Sequence, residues 1–339
     1  MISFRNDYSE VAHPRIIEKL LACATQQNDG YGLDVHSRKA ADSIRRLLER
    51  DADIHFIPGG TQTNLLVIAA CLRPFECVLT CDTGHINVHE TGAIEGTGHK
   101  VVTVPHVDGK LTPEGIRQLF DTHESEHMVK PRMVYLSNST ELGTVYTKAE
   151  LAEIRKVCDE LGLLLFLDGA RLGSALCSVF CDLTLSDLAE LCDLFYIGGT
   201  KNGALFGEAL VIINDALKSD FRYMIKNRGA MLAKGFVTGI QFEVLFEDEE
   251  PLYFALAEHA NRQANRIADA LTEKGYPFYA TPAGTNQLFA IVTAEKMAEL
   301  EKEFAFNIEK PLPDGRFAIR FVTSWATTDE MVDALIAAL

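Results

Sequence analysis

This sequence is short of positive charge. Lys and Arg number 32 against 48 Asp and Glu, a formal net charge of −16. Such a surface repels nucleic-acid phosphates and anionic lipid, so neither is expected as a partner; a local basic pocket for a small anion is still compatible with it. Long apolar runs are missing too. The longest uncharged stretch of interest, Ile54 to Leu72, is broken by Gly59-Gly60-Thr61-Gln62-Thr63-Asn64 and cannot span a bilayer. No Cys-x-x-Cys occurs among the eight cysteines, although Cys77/Cys81 and Cys177/Cys181 stand four apart. Many of them lie inside apolar runs, which favours reduced, buried thiols over disulfides or a structural zinc. The opening Met1-Ile2-Ser3-Phe4-Arg5-Asn6-Asp7 carries charges where a secretion signal needs an apolar core, so a cytoplasmic protein is expected. Internal repeats and low-complexity segments are absent.

What is present fits a large globular chain: 339 residues, 47% apolar and 24% charged. A chain of this length hides roughly 75% of its extended surface and needs no covalent staples. Short β-rich runs alternate with helical patterns. The strand candidates are Ile54–Ile57, Cys77–Thr80, Lys100–Val104, Arg132–Ser137, Leu163–Leu167, Leu194–Ile197 and Ala209–Ile213. Several are apolar almost throughout, as strands covered on both faces are. Helices are expected over Thr63–Leu72, Thr112–Phe120, Thr147–Leu161 and Ser186–Cys192, the third opening on a capping box and closing at Gly162. This alternation predicts an α/β fold: a mainly parallel seven-stranded sheet with helices on both faces. Beyond about residue 215 the pattern becomes α+β. Helices are expected over Phe221–Ala233, Leu252–Lys274, Ala294–Phe304 and Thr328–Leu339, with strands at Gln287–Thr293 and Arg316–Thr323. The predicted division is an N-terminal segment 1–20 docking on the rest, a large domain 21–245 and a small C-terminal domain 246–339, with an acidic break at Glu247-Asp248-Glu249-Glu250-Pro251.

Three segments carry chemistry. In Phe56-Ile57-Pro58-Gly59-Gly60-Thr61-Gln62-Thr63-Asn64 a β-run feeds a double glycine and then a helix, an arrangement whose free N–H groups attract a phosphate. In Leu164-Leu165-Phe166-Leu167-Asp168-Gly169-Ala170-Arg171 an aspartate ends an apolar strand, where ligands meet an open α/β sheet. That carboxylate needs a partner, and a plain helix cap paired with Arg171 is the alternative reading. In Tyr196-Ile197-Gly198-Gly199-Thr200-Lys201-Asn202-Gly203-Ala204 a lysine follows an apolar strand among small residues; poor solvation disfavours its ammonium form and makes the amine a nucleophile, a solvated loop charge being the alternative reading. Taken together the three fit pyridoxal 5'-phosphate: a phosphate cradle, a carboxylate to keep the pyridine nitrogen protonated, and an amine for a covalent Schiff base on Lys201.

The chain resembles the fold-type-I pyridoxal-phosphate enzymes (the PLP-dependent transferase-like fold), and within them the threonine aldolase / aromatic amino acid β-eliminating lyase family. The resemblance rests on Arg5-Asn6-Asp7, Tyr31-Gly32-Leu33-Asp34, Phe56 to Asn64, His85-Ile86-Asn87-Val88-His89-Glu90, Leu167 to Leu172, Thr200-Lys201 and Ala318-Ile319-Arg320-Phe321-Val322-Thr323. It implies roles. Lys201 carries the cofactor, Asp168 pairs with its ring nitrogen, and Gly59, Gly60 and Thr61 hold its phosphate, with Thr200 also at the cofactor. His85 stacks on the ring, Arg171 lies near the ring hydroxyl and the substrate carboxylate, and Arg320 grips that carboxylate. Asn6 and Tyr31 join the substrate site, Tyr31 from a partner subunit; Lys226 and Arg228 occupy a region that often reaches a neighbouring phosphate. His85, Glu90 or a water is expected as base, and no metal is required. The implied reaction is retro-aldol cleavage of a β-hydroxy-α-amino acid of the threonine or allo-threonine type to glycine and an aldehyde. A homodimer or homotetramer with shared active sites is implied as well. The same residues also serve β-elimination or transamination, and a non-catalytic protein of this fold is the remaining alternative. Side-chain specificity is where the sequence departs from the family: Thr140 stands where a histidine is usual, and Ser324-Trp325 follows Thr323 in place of another.

Overall fold

The computed structural model describes residues 1–339. In chain order the elements are β1 (Ile2–Ser3), α1 (Pro14–Ala22), α2 (Val35–Leu48), β2 (Asp53–Ile57), α3 (Gly60–Cys71), β3 (Glu76–Cys81), α4 (His85–Val88), β4 (Val101–Val104), α5 (Pro113–Asp121), β5 (Lys130–Ser137), α6 (Lys148–Leu161), β6 (Leu164–Asp168), α7 (Leu172–Leu176), α8 (Leu185–Leu191), β7 (Leu194–Gly198) and β8 (Glu208–Ile212). There follow α9 (Phe221–Asn227), α10 (Phe236–Phe246), α11 (Leu252–Glu273), β9 (Phe278–Ala280), β10 (Gln287–Val292), α12 (Ala294–Leu300), β11 (Phe304–Ala305), β12 (Asn307–Pro311), β13 (Phe317–Val322) and α13 (Asp329–Ala338).

Seven strands form one sheet in the order β2-β8-β7-β6-β5-β3-β4. All its pairings are parallel except those of β8, which runs antiparallel to both β7 and β2. Strand alternation sends successive side chains to opposite faces. Leu165, Leu167, Phe195, Ile197, Ala209 and Val211 pack on one side with Ile44, Ile154, Leu188 and Phe242 from helices. Leu164, Phe166, Leu194, Tyr196, Leu210 and Ile212 pack on the other with Leu66 and Val67 of α3 and Phe221 and Ile225 of α9. This parity matters for function. Asp168 continues the set Leu164, Phe166, and Glu208 begins the set Leu210, Ile212, so both carboxyls lie on the α3 side of the sheet.

The capping box of α6 forms as read: Thr147 accepts the Glu150 N–H, the Glu150 carboxylate accepts the Thr147 N–H, and Gly162 ends the helix at φ 67°. Five helices lie outside those expected from the sequence: α1, α2, the short α4 and α7, and α10, which runs up to the acidic break. α10 is buried all round against α1, α2 and α11, so it shows no amphipathic stripe. The expected helix Phe221–Ala233 ends at Asn227, because Gly229 takes a left-handed φ of 75°. The C-terminal sheet has four antiparallel strands, β12-β13-β10-β9, rather than two. The helix expected over Ala294–Phe304 stops at Leu300, and Phe304–Ala305 instead pairs in parallel with β1, so the N-terminal residues dock on the C-terminal part. No helix is long and apolar enough to cross a membrane.

Candidate active site

A cavity of about 580 Å³ opens where the carboxyl ends of β6 and β7 meet the start of α3 and the C-terminal sheet. Gly59, Gly60, Thr61, Asn64, His85, His89, Glu141, Asp168, Arg171, Tyr196, Thr200, Lys201, Glu208, Gln287 and Arg320 line it. The three segments singled out from sequence therefore converge, although 33 residues separate Asp168 from Lys201 and more than a hundred separate Gly60 from Asp168.

The Asp168 wall is densely hydrogen-bonded. Oδ2 accepts from the Tyr135 hydroxyl and from Asn64 Nδ2 at 3.1 Å, and Oδ1 accepts the Ala170 N–H at 2.9 Å. Burial would raise this carboxyl, but the His85 ring and the Tyr135, Tyr196 and Ala170 donors outweigh it and hold Asp168 below the usual carboxylate range. Asn64 Nδ2 also donates to Glu90 Oε1 at 2.8 Å, and the same oxygen meets His85 Nδ1 at 2.9 Å. Glu90 itself is fully buried behind His85 and does not line the cavity. Glycine at 169 is a packing requirement, since a Cβ there would stand 1.8 Å from the Tyr196 carbonyl oxygen.

Lys201 sits on the tight turn after β7. No carboxylate lies within ion-pair distance of its amine. Burial, then the Arg171 charge, lowers its ammonium below the ordinary lysine range despite Asp7, Asp168 and Glu208. The turn is clasped from β8: Glu208 Oε2 accepts the Gly199 N–H at 3.0 Å and Oε1 accepts the Thr200 hydroxyl at 2.8 Å, while Thr200 Oγ1 accepts the Gly207 N–H at 3.0 Å. At the cradle, Gly59 caps α3 with extended backbone and nothing lies within 4 Å of the space a Cβ would take. The first N–H groups of α3 have no partner within the helix.

Arg171 does not pair with Asp168. It forms a fork with Asp7, Nε to Oδ2 at 2.7 Å and a terminal nitrogen to Oδ1 at 3.0 Å. Asp7 is fully buried and also accepts Asn286 Nδ2 at 2.8 Å. Burial would raise its carboxyl, but Arg171 and then Lys201 hold it below the usual range. The helix-cap alternative for Asp168 and Arg171 thus has no support. Arg320, projecting from β13, keeps a buried Nε with no partner, and Gln287 Oε1 beside it is likewise unpaired.

Two residues from the sequence reading lie elsewhere within one chain. Asn6 turns back on its own loop, accepting from the Tyr8 N–H at 3.0 Å and the Ser9 hydroxyl at 2.9 Å. Tyr31 is 46% exposed and lines a second cleft of about 270 Å³ together with Arg38, Arg45, His55 and Arg222; Lys226 stands over its ring. Sequence reasoning missed Asp7, Tyr135, Glu141, Tyr196 and Glu208 at or behind the cavity. Glu208 was detectable: it extends the strand Ala209–Ile213 by one residue and puts an acid on a face otherwise apolar. Asp7, on an irregular segment, gave no such signal.

A model of the beta-eliminating lyase family matches residues 4–334. This chain belongs to that family. The lyase is 33% identical over 307 residues to the low specificity L-threonine aldolase of Pseudomonas aeruginosa, covering 90% of this chain and 87% of that protein. The Escherichia coli low specificity L-threonine aldolase is 27% identical over 88% of this chain and 87% of its own length. Among solved structures, a Leishmania major threonine aldolase superposes with a TM-score of 0.97 at 51% identity, covering 99% of this chain and 98% of that one. An aromatic aminotransferase from Pyrococcus horikoshii, at 20% identity and a TM-score of 0.72 over 99% of this chain and 93% of that one, shares the architecture. The lyase accordingly has the fold-type-I architecture that its motifs implied.

Proposed function

We propose that this lyase is a pyridoxal-phosphate-dependent aldolase that cleaves a β-hydroxy-α-amino acid of the threonine or allo-threonine type to glycine and an aldehyde. The observation that carries the reading is Lys201: a buried amine, unpaired with any carboxylate, in one cavity with the ionised Asp168 and the open start of α3. The residues fit the cofactor. Gly59 leaves open space where a side chain would intrude, α3 offers unpartnered N–H groups, and the cavity is large enough for a cofactor and an amino acid together. Its relationship to threonine aldolases supports the same cofactor and reaction.

Bound here, pyridoxal phosphate supplies the electron sink for the pair left at Cα when the Cα–Cβ bond breaks. The chain's own groups do the rest. Gly60 and Thr61 would hold the phosphate through their backbone N–H groups, with the Thr61 hydroxyl beside them. Asp168 stays ionised and so keeps a facing ring nitrogen protonated. Lys201 offers its amine in the uncharged form that attacks a carbonyl. Arg320, whose fork is free, would take the substrate carboxylate and so fix the orientation of the substrate at Cα; Arg171, already committed to Asp7, borders it. His85 acts as base for the β-hydroxyl proton. Glu90 Oε1, 2.9 Å from Nδ1, fixes the orientation of that ring, so Glu90 works through His85.

Two finer readings accompany this. A reducing, cytoplasmic setting suits eight free thiols, of which burial pushes Cys77 and Cys81 up to about 11 and Cys158 up to about 12. A homodimer or homotetramer with shared sites suits Tyr31, which lines the open second cleft, and Lys226, which stands over its ring, both available to a neighbour's cavity.

The test is product analysis. The holoenzyme is incubated with L-threonine, L-allo-threonine and phenylserine, and glycine and the matching aldehyde are expected in equal amounts. Pyruvate with ammonia from serine-type substrates, and no glycine, would replace the aldolase reading with β-elimination. A colourless protein whose spectrum ignores added cofactor would point to a non-catalytic member of the fold.

A further inference from the structure

Glu208 is a buried acid lining the cavity that the mechanism above does not use. Strand parity puts it on the α3 side of the sheet, and its register partner is Ile57, two residues before Gly59. α3 packs against both β8 and β2, so the Glu208 carboxyl lies beneath the start of that helix and lines the cavity beside the glycine turn. It is 3% exposed, and no Lys, Arg or His nitrogen comes within ion-pair distance of it. The groups that face it are few. Lys201 comes from the adjoining turn, Asp168 from β6, Tyr196 from β7 and Tyr253 from α11. α3 carries no charged residue; on β2, His55 stands mid-strand opposite Leu210 and Asp53 at the far end opposite Ile212.

We propose that Glu208 is a neutral carboxylic acid in the working enzyme, an uncharged hydrogen-bonding group at the anion-binding end of the cavity. The inference rests on the reading that the Gly59-Gly60 turn receives a phosphate. A buried carboxylate without a cation loses its hydration and is stabilised here by only two donors, one N–H and one hydroxyl. A phosphate arriving at the same end of the cavity adds a like charge and favours the protonated form further. As an acid, Glu208 still joins the Gly199 and Thr200 clasp, because Thr200 Oγ1 can donate to one oxygen or accept from the other. The direction of its titration agrees: burial outweighs Thr200 and Lys201 and raises this carboxyl to about 8. The sign follows. A group whose acid form favours the anion gives full affinity below its own midpoint and loses it as pH rises through that midpoint.

Inorganic phosphate binding to the cofactor-free protein, measured by calorimetry across neutral to alkaline pH, tests this. Wild type is expected to weaken, relative to Glu208→Gln, by about tenfold per pH unit above the Glu208 midpoint, as one linked proton requires. Glu208→Gln copies the neutral acid and is expected to bind as well as wild type at pH 7 while lacking that extra alkaline loss. Parallel profiles for the two proteins, or a Gln variant that binds tenfold worse at every pH, would overturn the proposal. Thr200→Val guards against a Gln variant that fails to fold. It removes the hydroxyl that favours the ionised form, so the alkaline break must move to higher pH; a break that stays put also overturns the proposal. If wild type binds no phosphate at any pH, the cradle reading fails and this inference falls with it.

Discussion

The cavity has two unlike walls. The wall contributed by the seven-stranded sheet has its carboxyls tied down: Asp168 accepts from Tyr135, Asn64 and Ala170, and Glu208 accepts from Gly199 and Thr200, while Asn64 Oδ1 stays without a partner. The wall contributed by the C-terminal sheet is open, with Arg320 Nε and Gln287 Oε1 both buried and unpartnered. A preorganised wall suits a resident group that must be held in one orientation, and an unsatisfied donor beside an unsatisfied acceptor suits a ligand that comes and goes. Asp7 bridges the two, reaching Arg171 on one side and Asn286 on the other.

Four substitutions sharpen or break this contrast. Lys201→Ala removes the only amine in the closed wall; a loss of at least about 10³ in kcat, and of the visible band that borohydride fixes in the parent, is expected. Asp7→Asn strikes the bridge. Leaving the buried Arg171 charge unpaired should cost about 3–5 kcal/mol in a denaturant titration. Because the Asp7 carboxyl lies below its usual range, its stabilisation is present above the unfolded value of roughly 4 and fades as pH falls through the folded one, so the gap between parent and variant should shrink in acid. Asp168→Asn keeps the shape of the closed wall and removes its charge; about a hundredfold loss in kcat is expected, with a shifted cofactor spectrum. Arg320→Lys alters only the open wall. KM should rise about tenfold while the cofactor spectrum stays that of the parent. A changed spectrum in Arg320→Lys, or an unchanged one in Asp168→Asn, would erase the distinction between the walls.

The same contrast marks what could be read in advance. The closed wall was legible because strand parity and strand ends fix where a side chain goes: an acid ending an apolar strand and a lysine after a glycine pair were enough to find Asp168 and Lys201. The seven sheet strands were found for the same reason. The partners that set their charge states were not. Tyr135 and Tyr196 look like ordinary core residues within their strands, and their hydroxyls acquire meaning only when β5, β6 and β7 lie side by side. Asp7 owes its role to contacts across 164 and 279 residues of chain, which no local pattern carries. α10 stayed hidden because a helix buried on every side leaves no periodic trace.

The parallel pairing of residues 2–3 with residues 304–305 has a consequence for biosynthesis. β1 leaves the ribosome long before its partner and must wait, unpaired, until residues 304–305 have been made. The Asp7–Arg171–Asn286 junction closes only then, so a nascent or C-terminally truncated chain can assemble its large sheet yet present a half-built pocket.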